Sequence, residues 1–350
     1  MQGKMQVKEL LANLVRIPSI SGNEKKIGEF IFDYLSDVGL SPKIYKGNVY
    51  CPIGRGKKAL LLTSHMDTVP VCPGWTKKPF KPEKARGRIY GLGANDAKGS
   101  LAAMIHAFTS LNEAELSGKV LFAATIQEET SNIGIGQVMG RIPKVDAAIV
   151  GEPTNLDICT AMRGLLILKL VARGKSAHAS RPTQGVNAIY SACEDMQRLL
   201  KLKFNKAHGL LGLPSMSVTL ISGGTKNNVI PGECEFTVDM RSTPMYGNAK
   251  LLSLVKKTVK SEVIALSSRL KPKGAQLSEK IVLAAKKANP GAKTRGFHAI
   301  CDLALINAPG IILGPGKSEK SHAADEYIEV AQAEKASQIY RKTIANYFAT

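Results

Sequence analysis

An α/β sheet covered by helices on both faces, interrupted by a smaller inserted α+β domain, is the fold class this sequence predicts. Three observations predict it. Short, continuous apolar runs stand at residues 59–63, 120–126, 147–150 and 311–313, as in strands buried on both faces. Helical patterns lie between and beside these runs. From 165 to 272 the pattern changes, and one stretch there alternates polar and apolar residues, which suits a half-buried strand.

The elements follow in order. Val7, Leu10, Leu11 and Leu14 recur at helical spacing, as do Ile27, Phe30, Ile31, Tyr34, Leu35 and Val38, so two amphipathic helices open the chain. The Ser-Ile-Ser-Gly-Asn-Glu stretch at 19–24 breaks one helix and caps the next. The first apolar run (Ala-Leu-Leu-Leu-Thr) follows, then a helix over 101–108, then the second run (Val-Leu-Phe-Ala-Ala-Thr-Ile) and the third (Ala-Ala-Ile-Val). In the middle segment, 165–172 and 215–222 read as strands and 233–240 alternates. Helices are expected over 185–200 and 249–263. The order β-α-β-β-α suits a small, ferredoxin-like open sheet with helices on one face. The chain then returns with a helix near 279–288, the fourth run (Ile-Ile-Leu) and a last helix over 331–348. The expected organisation is a discontinuous first domain, 1–164 and 273–350, with 165–272 inserted.

Composition narrows the function. The chain has 350 residues, 44% hydrophobic and 22% charged, too apolar for disorder and too polar for a membrane protein. No stretch approaches 18 consecutive apolar residues, and no secretory segment follows Met1. The six cysteines lie far apart and form no zinc-ribbon or redox spacing, which suggests reduced thiols in a cytoplasmic protein. The formal net charge of +20 raises the question of a polyanionic partner.

Metal-ligand residue types gather where the apolar runs end. The first run leads into Ser-His-Met-Asp (64–67), the second into Gln-Glu-Glu (127–129) and the third into Gly-Glu-Pro (151–153). The fourth is followed by Gly-Pro-Gly (314–316) and then Ser-His (321–322). Asp96 sits in a glycine-rich turn before a helix. Open α/β sheets bind ligands at the carboxyl ends of their strands, so His65, Asp67, Asp96, Glu128, Glu129, Glu152 and His322 could share one site. Equally, Asp67 could cap a helix and Glu128–Glu129 could form a solvated turn. Carboxylates sharing a crevice repel one another unless cations relieve them. Two histidines with several acids suit zinc, cobalt or manganese better than calcium. Two such ions sharing one carboxylate would use five protein ligands and support metal-assisted hydrolysis, with a free neighbouring carboxylate as general base. His106 reads as a packed helix residue, and His208 and His298 as structural or surface groups.

Seven stretches carry a family resemblance: 64–70 (Ser-His-Met-Asp-Thr-Val-Pro), 90–99, 127–130, 151–154, 174–180 (Gly-Lys-Ser-Ala-His-Ala-Ser), 223–232 and 321–327. In order and across nearly the whole chain, they resemble the dinuclear zinc amidohydrolases that include acetylornithine deacetylase, succinyl-diaminopimelate desuccinylase, aminoacylase and the carboxypeptidase G type enzymes. The likeness to acetylornithine deacetylase is the strongest. The resemblance implies a zinc-exopeptidase-like metal-binding domain with an inserted lid that also makes a homodimer. It implies two divalent ions, zinc foremost. His65 and Glu152 would hold one, Glu129 and His322 the other, and Asp96 would bridge them. Asp67 would orient His65, and Glu128 would carry the proton. His178 would bind the developing oxyanion across the dimer, and Arg241 with Asn228 would hold a substrate carboxylate.

The substrate expected is a small N-acyl amino acid, most like N-acetylornithine. The Gly-Thr-Ser-Asp segment of desuccinylases is absent; residues 297–304 read Phe-His-Ala-Ile-Cys-Asp-Leu-Ala. Release of lysine or ornithine from an acidic amino-group carrier protein, desuccinylation and dipeptide hydrolysis stand as alternatives. Residues 91–160, which hold Asp96, Glu128, Glu129 and Glu152, carry eight acidic and four basic side chains, whereas 241–300 carry two acidic and thirteen basic. The basic excess therefore lies away from the candidate ligands. With 5% aromatic residues there is little sign of base-stacking platforms, and neither nucleic acid nor membrane is expected as a partner.

Overall fold

The computed structural model describes residues 4–349. The chain splits into two compact units. One comprises the residues up to Thr160, Gly274–Phe297 and those from Cys301 onward; the other comprises Ala161–Lys273 and His298–Ile300.

The first unit opens with α1 (Val7–Arg16) and α2 (Lys25–Asp37), then β1 (Lys43–Tyr45), β2 (Asn48–Ile53), β3 (Ala59–His65), β4 (Glu83–Ala85) and β5 (Arg88–Tyr90). α3 (Lys98–Thr109), β6 (Lys119–Thr125), α4 (Ile133–Met139), β7 (Ala147–Val150) and β8 (Ile158–Met162) follow. The second unit holds β9 (Gly164–Arg173), β10 (Ala177–His178), α5 (Ala188–Leu200), β11 (Ser215–Gly223), β12 (Val229–Ile230), β13 (Glu233–Ser242), α6 (Asn248–Thr258) and β14 (Glu262–Ser267). β15 (Lys273–Gly274) marks the return. α7 (Lys280–Ala288), β16 (Thr294–Phe297), β17 (Gly310–Ile312), β18 (Tyr327–Glu329) and α8 (Val330–Phe348) complete the chain.

In the first unit the main sheet runs β1-β2-β6-β3-β7-β17-β8, with β16 also paired to β8. β3 is parallel to β6 and β7, and β17 is parallel to β7. Every residue of β3 and β7 is buried, which is why these strands read as unbroken apolar runs rather than alternating ones. α1 turns Val7, Leu10, Leu11 and Leu14 into the core. α3 packs on β3 and β6 and touches α1 and α8; all its residues except His106 are buried.

The second unit is a four-stranded antiparallel sheet in the order β11-β13-β9-β14. The chain order β-α-β-β-α-β with this strand order is a ferredoxin-like arrangement. Leu166, Leu168 and Leu170 of β9 and Phe236, Val238 and Met240 of β13 face the core with α5 and α6. Along β11 the side chains are mostly exposed, among them Leu220 and Ile221.

Two expected helices are shorter. The helix expected to 263 ends at Thr258, and Glu262–Ser267 becomes β14, paired to β9. Buried Asp195 on α5 explains the break. Its carboxylate accepts the backbone N–H groups of Lys260 (3.0 Å) and Ser261 (2.7 Å) and the Ser261 hydroxyl (2.6 Å). Those amides thus find partners outside a helix, and β-branched Val263 and Ile264 then favour a strand. Likewise α5 begins at Ala188, later than 185, because the Asn187 side chain caps it by accepting the Ile189 N–H at 2.9 Å. Among the described residues no helix is long and apolar enough to cross a membrane.

Burial raises the Asp195 pKa, but the bonds from Ser261, Lys260 and Arg198 outweigh it and hold the carboxyl below its ordinary value. A depressed carboxyl stabilises the fold above its unfolded pKa and stops doing so as pH falls through the folded one. Asp195→Ala is therefore expected to cost about 1–3 kcal/mol at pH 7 in urea unfolding. The gap from the parent protein should narrow below about pH 4; a gap that stays constant down to strongly acidic pH would contradict this role.

Candidate metal centre

Strand register brings the donors to one edge. His65, the last residue of β3, lies opposite Thr125 of β6, while Thr63 lies opposite Val150 of β7. Val150 in turn lies opposite Ile312 of β17. The carboxyl ends of four neighbouring strands thus coincide. Glu128 and Glu129 follow β6, Glu152 follows β7, and His322 lies beyond β17. Asp96 enters from the loop between β5 and α3. Gln127 and His322 take up left-handed backbone, with φ of +53° and +59°, a conformation uncommon outside glycine.

Asp96 divides its two oxygens between two imidazoles. Oδ1 lies 3.2 Å from His65 Nε2 and Oδ2 lies 3.6 Å from His322 Nε2. His65 Nε2 is also 3.9 Å from Glu152 Oε2, and His322 Nε2 is 2.9 Å from Glu129 Oε1. The result is two imidazole–carboxylate pairs, each with one oxygen of Asp96. Donor atoms of His65, Asp96 and Glu129 lie within 4.8 Å of one another.

The electrostatics fit cations. Burial pushes the carboxyls of Glu128 and Glu152 well above their ordinary range; nearby acids push further, and His65 opposes them. For His65, burial lowers the pKa, but Asp67 and Asp96 outweigh it and hold the imidazole well above its usual value. The bond to Glu129 is the main cause of the raised value of His322. Glu152 Oε1 is buried with no hydrogen-bond partner, an orphan of the kind a bound cation satisfies. This mixed nitrogen and oxygen donor set, in a cleft of mutually repelling acids, fits a pair of divalent ions.

Surrounding groups hold the donors. The backbone carbonyl of Asp67 lies 3.0 Å from His65 Nδ1; facing an oxygen, Nδ1 is the protonated nitrogen, and Nε2 is left facing the acids. The Asp67 carboxylate stands 3.5 Å from Nδ1. It also accepts the N–H of Glu128 (3.0 Å) and of Glu129 (3.1 Å) and the Ser21 hydroxyl (2.6 Å). Asn132 Nδ2 donates to Glu128 Oε1 at 3.0 Å and to Asp302 Oδ1 at 3.3 Å. Burial pushes Asp302 up to about 6 and brings the amine of Lys98 down to about 7. The sequence reading missed Asn132, Asp302 and Ser21. Asn132 stands only four residues after Glu128, but the links of Asp302 to Asn132 and of Ser21 to Asp67 span 170 and 46 residues, so only proximity in the fold marks Asp302 and Ser21.

His178, Asn228 and Arg241 lie in the second unit. The pairing of β10 with β12 sets His178 opposite Val229, and the Asn228 carbonyl accepts the Ala179 N–H at 2.9 Å, so His178 and Asn228 are neighbours. Arg241 ends in a two-point pair with Asp239, at 2.8 and 3.0 Å. His106 is partly buried, with Nδ1 2.8 Å from the Ser337 hydroxyl, and His298 meets Arg163.

An α/β scaffold that sets two imidazole–carboxylate pairs around a shared aspartate defines the class of dinuclear metal-dependent hydrolases. Residues 61–346 match the family Peptidase family M20/M25/M40, and the chain belongs to it. Acetylornithine deacetylase of Proteus mirabilis (strain HI4320) is 30% identical, over 97% of this chain and 96% of its own. The enzyme of the same name from Buchnera aphidicola (subsp. Acyrthosiphon pisum, strain Tuc7) is 29% identical, over 97% of both. Among solved structures, aminopeptidase PepT from Bacillus cereus ATCC 10987 superposes with a TM-score of 0.81 at 22% identity, covering 98% of each chain. A dinuclear metal-binding peptidase of the same family from Bacillus subtilis gives a TM-score of 0.77 at 19% identity, again over 98% of each.

Removing the Asp67 carboxylate leaves the Glu128 and Glu129 amides without their acceptor. Asp67→Ala is expected to cost about 1–3 kcal/mol for each donor left unpaired, read as a lower midpoint in thermal or urea unfolding of metal-free protein. An unchanged midpoint would show that the turn after β6 does not depend on this carboxylate.

Proposed function

We propose that the protein hydrolyses the amide bond of an N-acyl amino acid, most like the deacetylation of N-acetylornithine in arginine biosynthesis. The carrying observation is the division of Asp96 between two imidazole–carboxylate pairs, with Glu128 beside them. In this reading His65 and Glu152 hold one ion, Glu129 and His322 the other, and Asp96 bridges. Zinc is the first choice, with cobalt or manganese as substitutes. Bound there, the ions would supply Lewis acidity toward the scissile carbonyl and lower the pKa of water.

The rest is the work of the side chains. Glu128 takes a proton from the attacking water and returns it to the leaving amine, a task for a carboxyl whose proton affinity burial has raised. Asn132 fixes one oxygen of Glu128, which leaves the other for the proton. The second unit acts as lid and dimerisation domain, and its exposed β11 edge with Leu220 and Ile221 supports a homodimer. The Ser180 N–H donates to His178 Nδ1 at 3.2 Å. Nδ1 also lies 2.7 Å from the Ser180 hydroxyl; with Nδ1 accepting both bonds, the ring proton sits on Nε2 and serves as a donor to the oxyanion. Arg241 and Asn228 hold the substrate carboxylate. Full-length similarity to acetylornithine deacetylases supports the substrate class.

The test is a panel of N-acetyl and N-succinyl amino acids and dipeptides, assayed with zinc or cobalt. N-acetylornithine should be the best substrate; a clear preference for N-succinyl compounds or dipeptides would replace this reading. The thirteen basic residues within 241–300 give a second reading one specific support. A salt-sensitive preference for an acidic carrier protein over the free amino acid would favour that reading.

Glu128→Ala should keep its metal, by elemental analysis, and lose about 10²–10⁴-fold or more in kcat. Normal turnover in that variant would sink the assigned mechanism.

A further inference from the structure

The loop that delivers Asp96 has almost no regular structure of its own, yet it must present the two oxygens of one carboxylate to two different imidazoles. Most of its backbone amides end on one buried residue from another part of the chain, while the Asn95 side chain bonds Lys317 and Ser321. Glu326, 2% exposed, accepts the Gly93 N–H on Oε2 at 2.8 Å. On Oε1 it accepts the N–H groups of Asn95 at 2.8 Å and Asp96 at 2.9 Å. Its own backbone carbonyl accepts the Gly91 N–H at 2.9 Å. Four of the six amides from 91 to 96 therefore end on one residue. A carboxylate can do this because it only accepts and offers about four lone-pair directions. A glutamine would turn one oxygen into a donor and point N–H at N–H.

The counter-charge is also built in. Lys98, fully buried at the start of α3, donates to the Ile17 carbonyl at 2.9 Å, and the charges facing it are those of Glu326 and Asp67. A buried carboxylate without such a partner would be costly. Glu326 also lies four residues after His322 on the same segment. The bond to the Asp96 amide thus ties one candidate ligand to the loop that carries another.

We propose that Glu326 is the positioning residue of the paired-cation site. By gathering the amides of the 91–96 loop, it sets where Asp96 stands between His65 and His322. This rests on the metal reading given above. Glu326 touches neither substrate nor ion; it acts through Asp96.

The experiment titrates Co²⁺ into metal-free parent protein, Glu326→Gln and Glu326→Asp. It follows affinity, stoichiometry and the visible absorption of the bound ion, with kcat and KM measured in parallel. Circular dichroism establishes which variants are folded. Folded Glu326→Gln should bind at least one equivalent about 10–100-fold more weakly, with an altered spectrum. Its kcat should fall by a similar factor while KM moves less than about threefold. Glu326→Asp keeps the charge but loses reach, so it should show the same pattern to a smaller degree, and it provides the test if Glu326→Gln does not fold. Parent-like affinity and spectrum in the folded variants would overturn the proposal. Parent protein that binds no Co²⁺ would overturn the metal reading itself, and this proposal with it.

Discussion

Carboxylates crowded at the ends of parallel strands repel one another, and the site is organised around managing that repulsion. Asp96, Glu128, Glu129 and Glu152 come within reach of two histidines because β3, β6, β7 and β17 end together. Burial strengthens each repulsion by removing water. The protein answers with positive partners: His65 and His322 within the cluster, Lys98 beneath it, and amide N–H groups aimed at Asp67 and Glu326. Burial still outweighs these answers at Glu128, Glu152, Asp302 and Glu326, whose proton affinities are all raised.

The parts of this fold that were legible in the sequence are those governed by local pattern. The apolar runs ending near 65, 126 and 150 mark β3, β6 and β7, since a strand buried on both faces has no polar position to spend. Leu10, Leu11 and Leu14 mark α1 by spacing alone. The helix expected to 263 failed for a non-local reason. Asp195, some 65 residues earlier, accepts the amides at 260 and 261, and nothing in the sequence around Lys260 announces it.

The site divides along the same line. Candidate donors stand out because histidine and acids after an apolar run are conspicuous. Their supports do not: Asn132 is one asparagine in a polar turn, and Asp302 follows an unremarkable cysteine. Asp67 reads as a companion of His65. The greater share of its bonding goes to the amides of Glu128 and Glu129, some 60 residues away. Side chains that act on distant backbone leave no periodicity and no spacing to read.

Lys98 has a consequence for the history of the chain. An ammonium at the first turn of a helix opposes the helix dipole, and its burial is expensive. Buried ion pairs replaced as a whole by well-packed apolar groups often give a more stable protein, whereas removing one partner strands the other. An apolar residue at position 98 alone would leave the buried carboxylates of Glu326 and Asp67 without that positive charge. Position 98 is thus tied to position 326: no single substitution there recovers the cost of burying the ammonium.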